Sequence, residues 1–540
     1  MKPIYSSFRQ SFERDIYRFP SNVIAAPVAS IPFGKDSADT LARIMPQAMF
    51  LSLNSSLSVV DADGREVSSL YDALSLSNQF IPFLCVGDEK TVRSLSDFVY
   101  FNALADAAVC VKYSQRSLYS LSQLISPWLR GMVDCRELGK LSRSEWLRII
   151  GDVWEVRAIS VLISDEQCSR ATVDLLHERL LSVWVCSSDG VNAALSGADG
   201  VLIGCDALSG FYEFLDLLPE NTLLDNYRVL AHKGFQDGYT EPENSTTAIK
   251  KGADYHLDGA EIDLKLSTDG IPFIIHNPTT RGMLKGEDVP VESLSSDELA
   301  ARERTDFPGE YTDRLEDMLR VLQPYENYPI FLEFKPTAKL YHIEKMTHAV
   351  KDIIERTDTE YNCIALHGTA GMPYIQRLLP RLPKCSGVYE PGEPPTSIAE
   401  ATDLLYKHLQ KTMYSPAAFC IEDVAINRYF GEVAAVRGLF TVVWTRSHYF
   451  KHSLWENDGA RSDEGFVSGF YATISDHAER YFHIPVSITS ENGTPIAVFR
   501  DGRREPTAAR RIELSDGRCV YSLELTLPHG LKYSIVSEAF

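Results

Sequence analysis

The chain has 540 residues, a formal net charge of −21 and 44% hydrophobic residues. This length is too great for one ordinary hydrophobic core, so the sequence predicts two or three domains. The excess of acidic residues argues against nucleic acid or an anionic membrane surface as the main partner. An anionic substrate would need a local cation, either a bound metal ion or a few lysine and arginine side chains.

The N-terminus and the cysteines predict a cytoplasmic protein. The first 19 residues contain no apolar core of the length that a secretory signal needs. No uninterrupted apolar run approaches the roughly 18 residues of a membrane span, so no span is expected. The ten cysteines are scattered without a Cys-x-x-Cys spacing, which favours reduced thiols packed in the interior.

Eight short apolar runs alternate with helix-like segments over the first 225 residues. Continuous apolar runs of this length are typical of strands buried on both faces of a parallel sheet. Eight such strands alternating with helices is the number that builds a (β/α)₈ barrel. The runs are residues 23–29, 49–53, 80–86, 107–112, 129–135, 158–164, 182–186 and 200–205.

A second series of eight runs follows at similar spacing. Its members are residues 228–232, 260–266, 329–334, 363–367, 385–389, 417–421, 440–444 and 466–474. A tryptophan stands near the end of each series, Trp184 and Trp444, and the two are 260 residues apart, which is about the length of one barrel. We therefore predict an α/β protein with two tandem (β/α)₈ TIM-type barrels, residues 1–225 and 226–483.

Residues 484–540 have a different pattern. Short alternating runs are separated by Asn492-Gly, Asp501-Gly, Asp516-Gly and His529-Gly. Such turns between alternating strands indicate β-hairpins. The segment is predicted to form a small C-terminal antiparallel β module, which packs on a barrel because its own core would be marginal.

The most informative residues for function lie between 229 and 277. Glu261 and Asp263 are two residues apart in a predicted strand, so their side chains point to the same face. Two carboxylates on one face repel, and both stay ionised most easily when a cation lies between them. His232 and His276 each follow an apolar run. Paired carboxylates with two imidazoles nearby suggest hydrolysis assisted by a metal ion.

These residues belong to an ordered set of motifs spaced like barrel strands. The motifs are His232-Lys-Gly234, Pro242-Glu-Asn-Ser245, Gly259-Ala-Glu261-Ile-Asp263, Thr268-Asp-Gly270, Ile275-His276-Asn277, Arg314-Leu-Glu316, Phe331-Leu-Glu333-Phe-Lys335, Val443-Trp444-Thr445 and Thr473-Ile-Ser-Asp476. In this order they resemble the glycerophosphodiester phosphodiesterase family, and the resemblance covers roughly residues 227–483.

The sequence departs from the family pattern at three positions. Lys233 stands where the family has arginine, which keeps the charge but loses the bidentate fork for a phosphate. Asn277 replaces the family's aspartate after the second histidine, and Arg281 falls one place early. These departures leave both histidines and all three carboxylates of the pattern in place.

The resemblance implies a metal site and an acid–base pair. Glu261, Asp263 and Glu333 would bind one divalent ion, and three carboxylates suit a hard cation such as Mg²⁺ or Ca²⁺. His232 and His276 would be the general acid and base, and the sequence does not tell which is which. The alternative is that the acidic residues are solvated charges at strand ends, although charges on inward strand faces are costly without a partner.

Further residues would bind the substrate or support the site. By resemblance, Lys233 and Lys335 would offset charge on the phosphoryl oxygens, and Trp444 would line the pocket beside the glycerol. Glu243 and Asn244 would support the site. Glu243 would do so either as a further metal ligand or by contacting one of the metal ligands. Three alternatives stay open: an ordinary ion pair of Lys335, barrel-core packing of Trp444, and a helix-start role for the carboxylate of Glu243.

The reaction that the resemblance implies is metal-dependent hydrolysis of a small anionic glycerophosphodiester to glycerol 3-phosphate and an alcohol. The alternatives are another small phosphodiester, such as a sugar phosphodiester or a lysophospholipid, and a non-catalytic sensor that binds phosphodiesters. The first 226 residues contain a single histidine, His177, and no His-x-Gly in the first run. The first barrel is therefore predicted to be catalytically silent, serving either as a packing partner of the second barrel or as a ligand-binding module.

Overall fold

The computed structural model describes residues 24–26, 39, 41, 46–76, 80–102, 104–123, 129–219, 221–326, 328–335, 340–368, 370–388, 395–412, 418–422, 428–444, 469–527 and 530–538. These residues form two curved, mainly parallel sheets with helices, followed by antiparallel sheets. The predicted α/β class and the two barrel-like halves are confirmed. Within the ranges given, no helix is both long and apolar enough to cross a membrane.

The first sheet has ten strands, of which eight are parallel neighbours in barrel order. Its strands are β1 (Ile24–Ala26), β2 (Ala48–Leu53), β3 (Ser58–Val60), β4 (Glu66–Ser69), β5 (Ile81–Cys85), β6 (Ala108–Lys112), β7 (Arg130–Asp134), β8 (Ser160–Ser164), β9 (Ser182–Cys186) and β10 (Gly200–Leu202). The first strand, β1, pairs with the last, β10. Between β1 and β2 the described residues show contact but no hydrogen-bonded ladder, so the sheet is strongly curled.

The antiparallel pair β3 and β4 extends this sheet beyond β2 and was not among the predicted runs, because its residues are only partly buried. Helices connect the parallel strands. They are α1 (Leu70–Ser75), α2 (Glu89–Asn102), α3 (Ser117–Gln123), α4 (Arg143–Glu155), α5 (Arg170–His177), α6 (Val191–Leu195) and α7 (Leu208–Leu217).

Large side chains fill the interior of the first sheet. The rings of Phe50 and Phe83 stack at 4.8 Å between centroids, and Trp184 lies 4.6 Å from Phe83. Val436, from the second half of the chain, joins the same buried cluster. This interior is a packed core, as small parallel barrels require.

The segment between the two halves contains a short strand, β11 (Thr222–Leu223), that belongs to neither barrel sheet. The second barrel follows with β12 (Arg228–Ala231), β13 (Ala260–Leu266), β14 (Pro272–Ile274), β15 (Ile330–Phe334), β16 (Cys363–Gly368), β17 (Lys384–Val388), β18 (Ala418–Glu422), β19 (Phe440–Trp444) and β20 (Ala472–Ser475). Because β12 pairs with both β20 and β13, its eight parallel strands form a closed barrel.

The strand β14 is the exception in this barrel, since it folds back antiparallel on the end of β13. The helices of the second half are α8 (Thr246–Asp254), α9 (Ser296–Ala300), α10 (Leu315–Leu322), α11 (Leu340–Thr357), α12 (Met372–Leu378), α13 (Ile398–Thr412) and α14 (Arg428–Ala435). The short helix α9 lies in the long connection between β14 and β15.

The C-terminal segment forms the predicted hairpins in two small sheets. Strands β21 (Ser487–Glu491), β22 (Thr494–Val498) and β23 (Arg504–Pro506) form one sheet, and β24 (Arg510–Glu513), β25 (Cys519–Thr526) and β26 (Lys532–Glu538) form the other. The linker strand β11 pairs in parallel with β26, an addition that the sequence did not predict. His529, one of the predicted turn residues, lies outside the described residues. The domain boundaries at 225/226 and 483/484 stay predictions.

The two barrel halves meet through the N-terminal ends of their strands. Asp106, just before β6, is fully buried and accepts from Arg130 Nη1 at 2.9 Å. Arg437, just before β19 in the other half, donates to the same carboxylate at 2.6 Å. The C-terminal ends of the strands therefore face away from this contact in both halves, which leaves that end of the second barrel open for a site.

Candidate active site

The predicted site residues gather at the C-terminal end of the second barrel. His232 directly follows β12, His276 follows β14 by two residues, and Lys335 directly follows β15. Trp444 is the last residue of β19. This is the end of a (β/α)₈ barrel where catalytic groups sit.

Three carboxylates converge on one point. Oxygen atoms of Glu261, Asp263 and Glu333 all lie within 4.8 Å of one another, and all three side chains are buried. Strand register produces the convergence, since Asp263 on β13 is the direct neighbour of Glu333 on β15. Burial and the charge of Asp263 raise the pKa of Glu261 well above its ordinary value. Its Oε1 is buried and has no hydrogen-bond partner among the described residues.

Lys335 lies against the same carboxylates. Its Nζ is 2.7 Å from Asp263 Oδ1 and 2.6 Å from Glu333 Oε2. Burial opposes ionisation of Asp263, but Lys335 and other cationic groups outweigh burial and hold the pKa of Asp263 well below its ordinary value. Lys335 therefore supplies one positive charge to the three carboxylates. It contacts two of them, Asp263 and Glu333, so it is more than the partner of a single ion pair with Glu333.

His232 is held by a carboxylate on the last barrel strand. Its Nδ1 lies 2.7 Å from Oδ1 of Asp476, which directly follows β20, and its Nε2 lies 3.9 Å from Glu261 Oε2. Burial alone would lower the pKa of this imidazole, but Asp476 and then Glu261 raise the pKa of His232 to about 9. The carboxylate fixes the ring so that Nε2 faces the acidic group.

His276 has a different partner. Its Nδ1 lies 2.9 Å from the amide Oδ1 of Asn277, at the position where the sequence departs from the family's aspartate. Burial lowers the pKa of His276, and the neighbouring Asp263 offsets only part of that effect. The two histidines of the site thus have unlike environments, one against a carboxylate and one against a neutral amide.

The turn after β12 brings backbone as well as side chain to the site. Lys233 and Gly234 both have left-handed backbone conformations, with φ of 54° and 84°. A Cβ at Gly234 would lie 3.0 Å from the Cβ of Ala248, so glycine suits both the conformation and the close packing. In this turn the Lys233 N–H donates to Glu261 Oε2 at 3.3 Å and its Nζ donates to Glu243 at 3.0 Å.

Asn244 and Glu243 have separate positions in the site. Asn244 Nδ2 donates to Asp263 Oδ2 at 2.8 Å, and its Oδ1 accepts from the Asp263 N–H at 3.0 Å. Glu243 pairs with Lys233 and lies outside the group of three converging carboxylates. Asn244 therefore orients Asp263 directly, whereas Glu243 contacts the site through a lysine.

A cavity of about 780 Å³ opens above these groups. Both histidines, both lysines, Glu261 and Glu333 line it, as does the half-buried Trp444. Trp184 is different: it lies at the third of the five residues of β9 and is fully buried in the first core, whereas Trp444 is the fifth of five in β19. The two tryptophans thus differ by two strand positions, and Trp444 is the one that lines the cavity above the carboxylates.

The structure adds residues that the sequence reasoning did not assign to the site. Asp476 was part of a quoted motif, but only the fold shows that it binds His232. Met283, Arg304 and Phe307, from the connection between β14 and β15, line the cavity. No local pattern marks these three, because they approach the site through the fold of that connection.

Comparison with known proteins finds a family match in the same half of the chain. The glycerophosphoryl diester phosphodiesterase family matches residues 232–453. Glycerophosphodiester phosphodiesterase 1 from Bos taurus is 30% identical over 144 residues, which cover 26% of this chain and 41% of that protein. A glycerophosphodiester phosphodiesterase from Caldanaerobacter subterraneus is 28% identical over 130 residues, covering 23% of this chain and 52% of that protein. The matched segment thus spans about two fifths to one half of these relatives.

Solved structures of similar proteins cover a little under half of the chain. A glycerophosphodiester phosphodiesterase from Parabacteroides distasonis has 17% identity and a TM-score of 0.39, with 47% of this chain and 94% of that one covered. A phosphodiesterase from Oleispira antarctica has 20% identity and a TM-score of 0.37, with the same shares covered. The family match and the curated relatives confirm the resemblance seen in the motifs, and the chain contains, over residues 232–453, a domain of the glycerophosphoryl diester phosphodiesterase family.

Proposed function

We propose that the second barrel hydrolyses small glycerophosphodiesters to glycerol 3-phosphate and an alcohol, in a reaction that depends on one divalent metal ion. The observation that carries this proposal is the meeting of three buried carboxylates within 4.8 Å, with two imidazoles and two lysines on the wall of the same cavity. The family domain supports the reaction class.

The donor set fits a hard cation. Glu261, Asp263 and Glu333 offer carboxylate oxygens, the ligands that Mg²⁺ and Ca²⁺ prefer. The unpartnered Oε1 of Glu261 is a buried acceptor that a cation would satisfy, since a buried polar atom without a partner is costly. When bound, the ion would polarise a phosphate oxygen and help to orient the attacking hydroxyl.

The chain's own residues would bind the substrate and move protons. His232 and His276 would together remove a proton from the attacking oxygen and give one to the leaving alkoxide. Lys233 and Lys335 would stabilise charge on the phosphoryl oxygens. The Trp444 ring would form the wall beside the glycerol. Together with the metal ion, the two lysines would allow an anionic substrate to bind to a strongly acidic protein.

The binding partner of the protein would be a small anionic phosphodiester, its substrate, and the protein would be located in the cytoplasm. The identity of the alcohol is left to the substrate test, with sugar phosphodiesters and lysophospholipids as the competing substrates. The first half of the chain would serve as a packing partner rather than a second active site. In support of that role, its interior is filled by Phe50, Phe83 and Trp184.

The test is hydrolysis of glycerophosphocholine and a panel of related diesters by the full chain, with products identified by phosphorus NMR. We expect glycerol 3-phosphate to form, and activity to be lost in chelator and restored by Mg²⁺ or Ca²⁺. Glu261→Gln should lower kcat by at least about 100-fold, on the scale of losing a charge-stabilising group in the site. Glu287→Gln, an exposed residue of the β14–β15 connection, is the matched control.

Two results would reject parts of the proposal. Activity that survives both the chelator and Glu261→Gln would exclude the metal mechanism. Tight binding of phosphodiesters without turnover of any of them would instead favour a non-catalytic sensor.

A further inference from the structure

The connection between β14 and β15 has a small core of its own. We call residues 277–314 the insertion segment. Leu284, Val291, Leu294 and Leu299 of this segment pack with Phe273 and Ile275 in a buried cluster that is separate from the main barrel core. The segment is therefore an ordered unit that packs on β14 through Phe273 and on the residue that follows it, Ile275.

Arg304 bonds the insertion segment to the backbone of the loop after β12, and Asp313 adds a bond from its carboxylate to the Thr246 N–H where that loop ends. Its side chain is buried, with 4% of its surface exposed. Nη1 donates to the Glu243 carbonyl at 2.8 Å and Nη2 to the Asn244 carbonyl at 2.6 Å. Nε donates to the Tyr311 carbonyl at 3.1 Å, and the Arg304 N–H donates to the Glu310 carbonyl at 2.8 Å. One guanidinium thus fixes two adjacent peptide groups of the loop.

Those two peptide groups carry Asn244, the residue that orients Asp263. Asn244 has a left-handed backbone with φ of 49°, a conformation that asparagine tolerates but that needs support from its surroundings. Its N–H donates to the Lys233 carbonyl at 2.7 Å, and Arg304 holds its carbonyl on the other side. With the backbone fixed at both ends, the amide side chain can bind both the carboxylate and the N–H of Asp263.

We propose that Arg304 is a positioning residue for the metal site, acting through Asn244 to hold Asp263 in the orientation that faces Glu261 and Glu333. The inference rests on the proposed function only in requiring that these carboxylates bind a divalent ion. Groups that orient metal ligands in this way raise metal affinity by about 10- to 100-fold. Arg304 lies outside every motif quoted from the sequence and belongs to the insertion segment.

The test measures Mg²⁺ and Ca²⁺ binding to the full chain by calorimetry, without substrate. We expect Arg304→Met to weaken binding by about tenfold or more, because the loop carbonyls lose their donors and Asn244 is released. Arg304→Lys should be intermediate, since an ammonium can reach one carbonyl but lacks the fork that reaches both. Thermal unfolding of the metal-free proteins checks that each variant is folded.

The matched control is Arg302→Met. Arg302 lies in the same segment, but its Nη1 donates to the Glu287 carbonyl at 2.8 Å and to Thr280 Oγ1 at 3.3 Å, both inside the segment. We expect its metal affinity to be unchanged. A second readout is the double variant Arg304→Met with Asn244→Ala, which should bind metal no more weakly than Asn244→Ala alone, because both changes break one chain of contacts.

Equal metal affinity of Arg304→Met and the wild type would overturn the inference, as would an equal loss in Arg302→Met or fully additive effects in the double variant. A wild type that binds neither ion would overturn it too. A protein that hydrolyses no phosphodiester, yet loses metal affinity specifically in Arg304→Met, would reject the proposed reaction and support the role of Arg304.

Discussion

The imidazole of His232 and the carboxylate of Asp476 lie 2.7 Å apart, between the first and last strands of the second barrel. They are 244 positions apart in the sequence and meet only because the barrel closes. The bond orients Nε2 of His232 toward Glu261. Closure of the barrel is therefore a requirement for the orientation of His232, the proposed acid–base group.

Asp476→Asn tests that relationship. The amide keeps the shape but removes the charge that orients and stabilises the protonated ring, so kcat should fall by about 100-fold, within the usual range for general acid–base catalysis. Steady-state kinetics on the best diester of the panel is the measurement. Glu479→Gln is the control, because Glu479 pairs with His477 and not with the site. Unchanged kcat in Asp476→Asn would mean that His232 does not need this partner.

Lys335→Met tests the balance of charge in the acidic group. Without the ammonium, the three converging carboxylates lose a cation that lies within 2.7 Å of two of them. The metal-free protein should be less stable, and added Mg²⁺ should raise its melting temperature by more than it raises that of the wild type. We also expect kcat to fall by about 100-fold.

Scanning fluorimetry with and without Mg²⁺ gives the melting temperatures. The exposed Lys345 provides the control Lys345→Met, which should match the wild type in both conditions. The same Mg²⁺-dependent shift in Lys335→Met and the wild type would show that Lys335 does not balance these carboxylates.

The sequence predicted the parts of this molecule that repeat locally. Apolar runs marked the parallel strands, and the motifs placed Glu261, Asp263 and Glu333 on two successive strands of the second barrel. What it could not show were contacts between distant residues. Arg437 and Asp106 are 331 positions apart, and neither stands in a pattern that distinguishes a buried ion pair from two surface charges.

Strand β11 and the role of Arg304 were not predicted for the same reason, since both depend on contacts between residues distant in the sequence. Strand β11 has two residues, too few to show a period, and it exists because β26 supplies a partner. In the sequence Arg304 is one of several charged residues in a polar connection. Only the fold shows that its side chain donates to two carbonyls of the loop after β12. Sequence periodicity reports burial along one element, whereas these features depend on pairing between elements.

The buried His177, the single histidine of the first half, should make the free energy of unfolding depend on pH. Its ring is fully buried, with Nε2 2.7 Å from Asp199 and Nδ1 3.0 Å from Asp225. Burial opposes its charge, but the two carboxylates outweigh burial and raise the pKa of His177 from 6.5 to about 10. A raised pKa in the folded state stabilises the protein fully below pH 6.5, and this contribution is lost as the pH rises through about 10.

We therefore expect the wild type to lose stability relative to His177→Gln between pH 6.5 and about 10, by up to about 1.4 kcal/mol per pH unit. Urea unfolding across this range measures the difference. His348→Gln, at an exposed histidine of α11, should show the same pH profile as the wild type. Parallel profiles for the wild type and His177→Gln would contradict a charged His177 in the folded state.

Asp106 links the two halves of the chain, and Asp106→Asn tests how much that link contributes. The buried carboxylate lies within 2.9 Å of Arg130 and 2.6 Å of Arg437. Its loss would leave two buried guanidinium groups without a counter-charge, which typically costs about 3–5 kcal/mol of unfolding free energy. Glu89→Gln, which breaks the exposed pair with Arg93, should cost no more than about 0.5 kcal/mol. The halves also meet through Val436, which packs in the first core, and through Arg381, whose Nη1 donates to Asp152 at 2.8 Å. A loss in Asp106→Asn as small as that of the control would therefore mean that such other contacts hold the two halves together without the charge of Asp106.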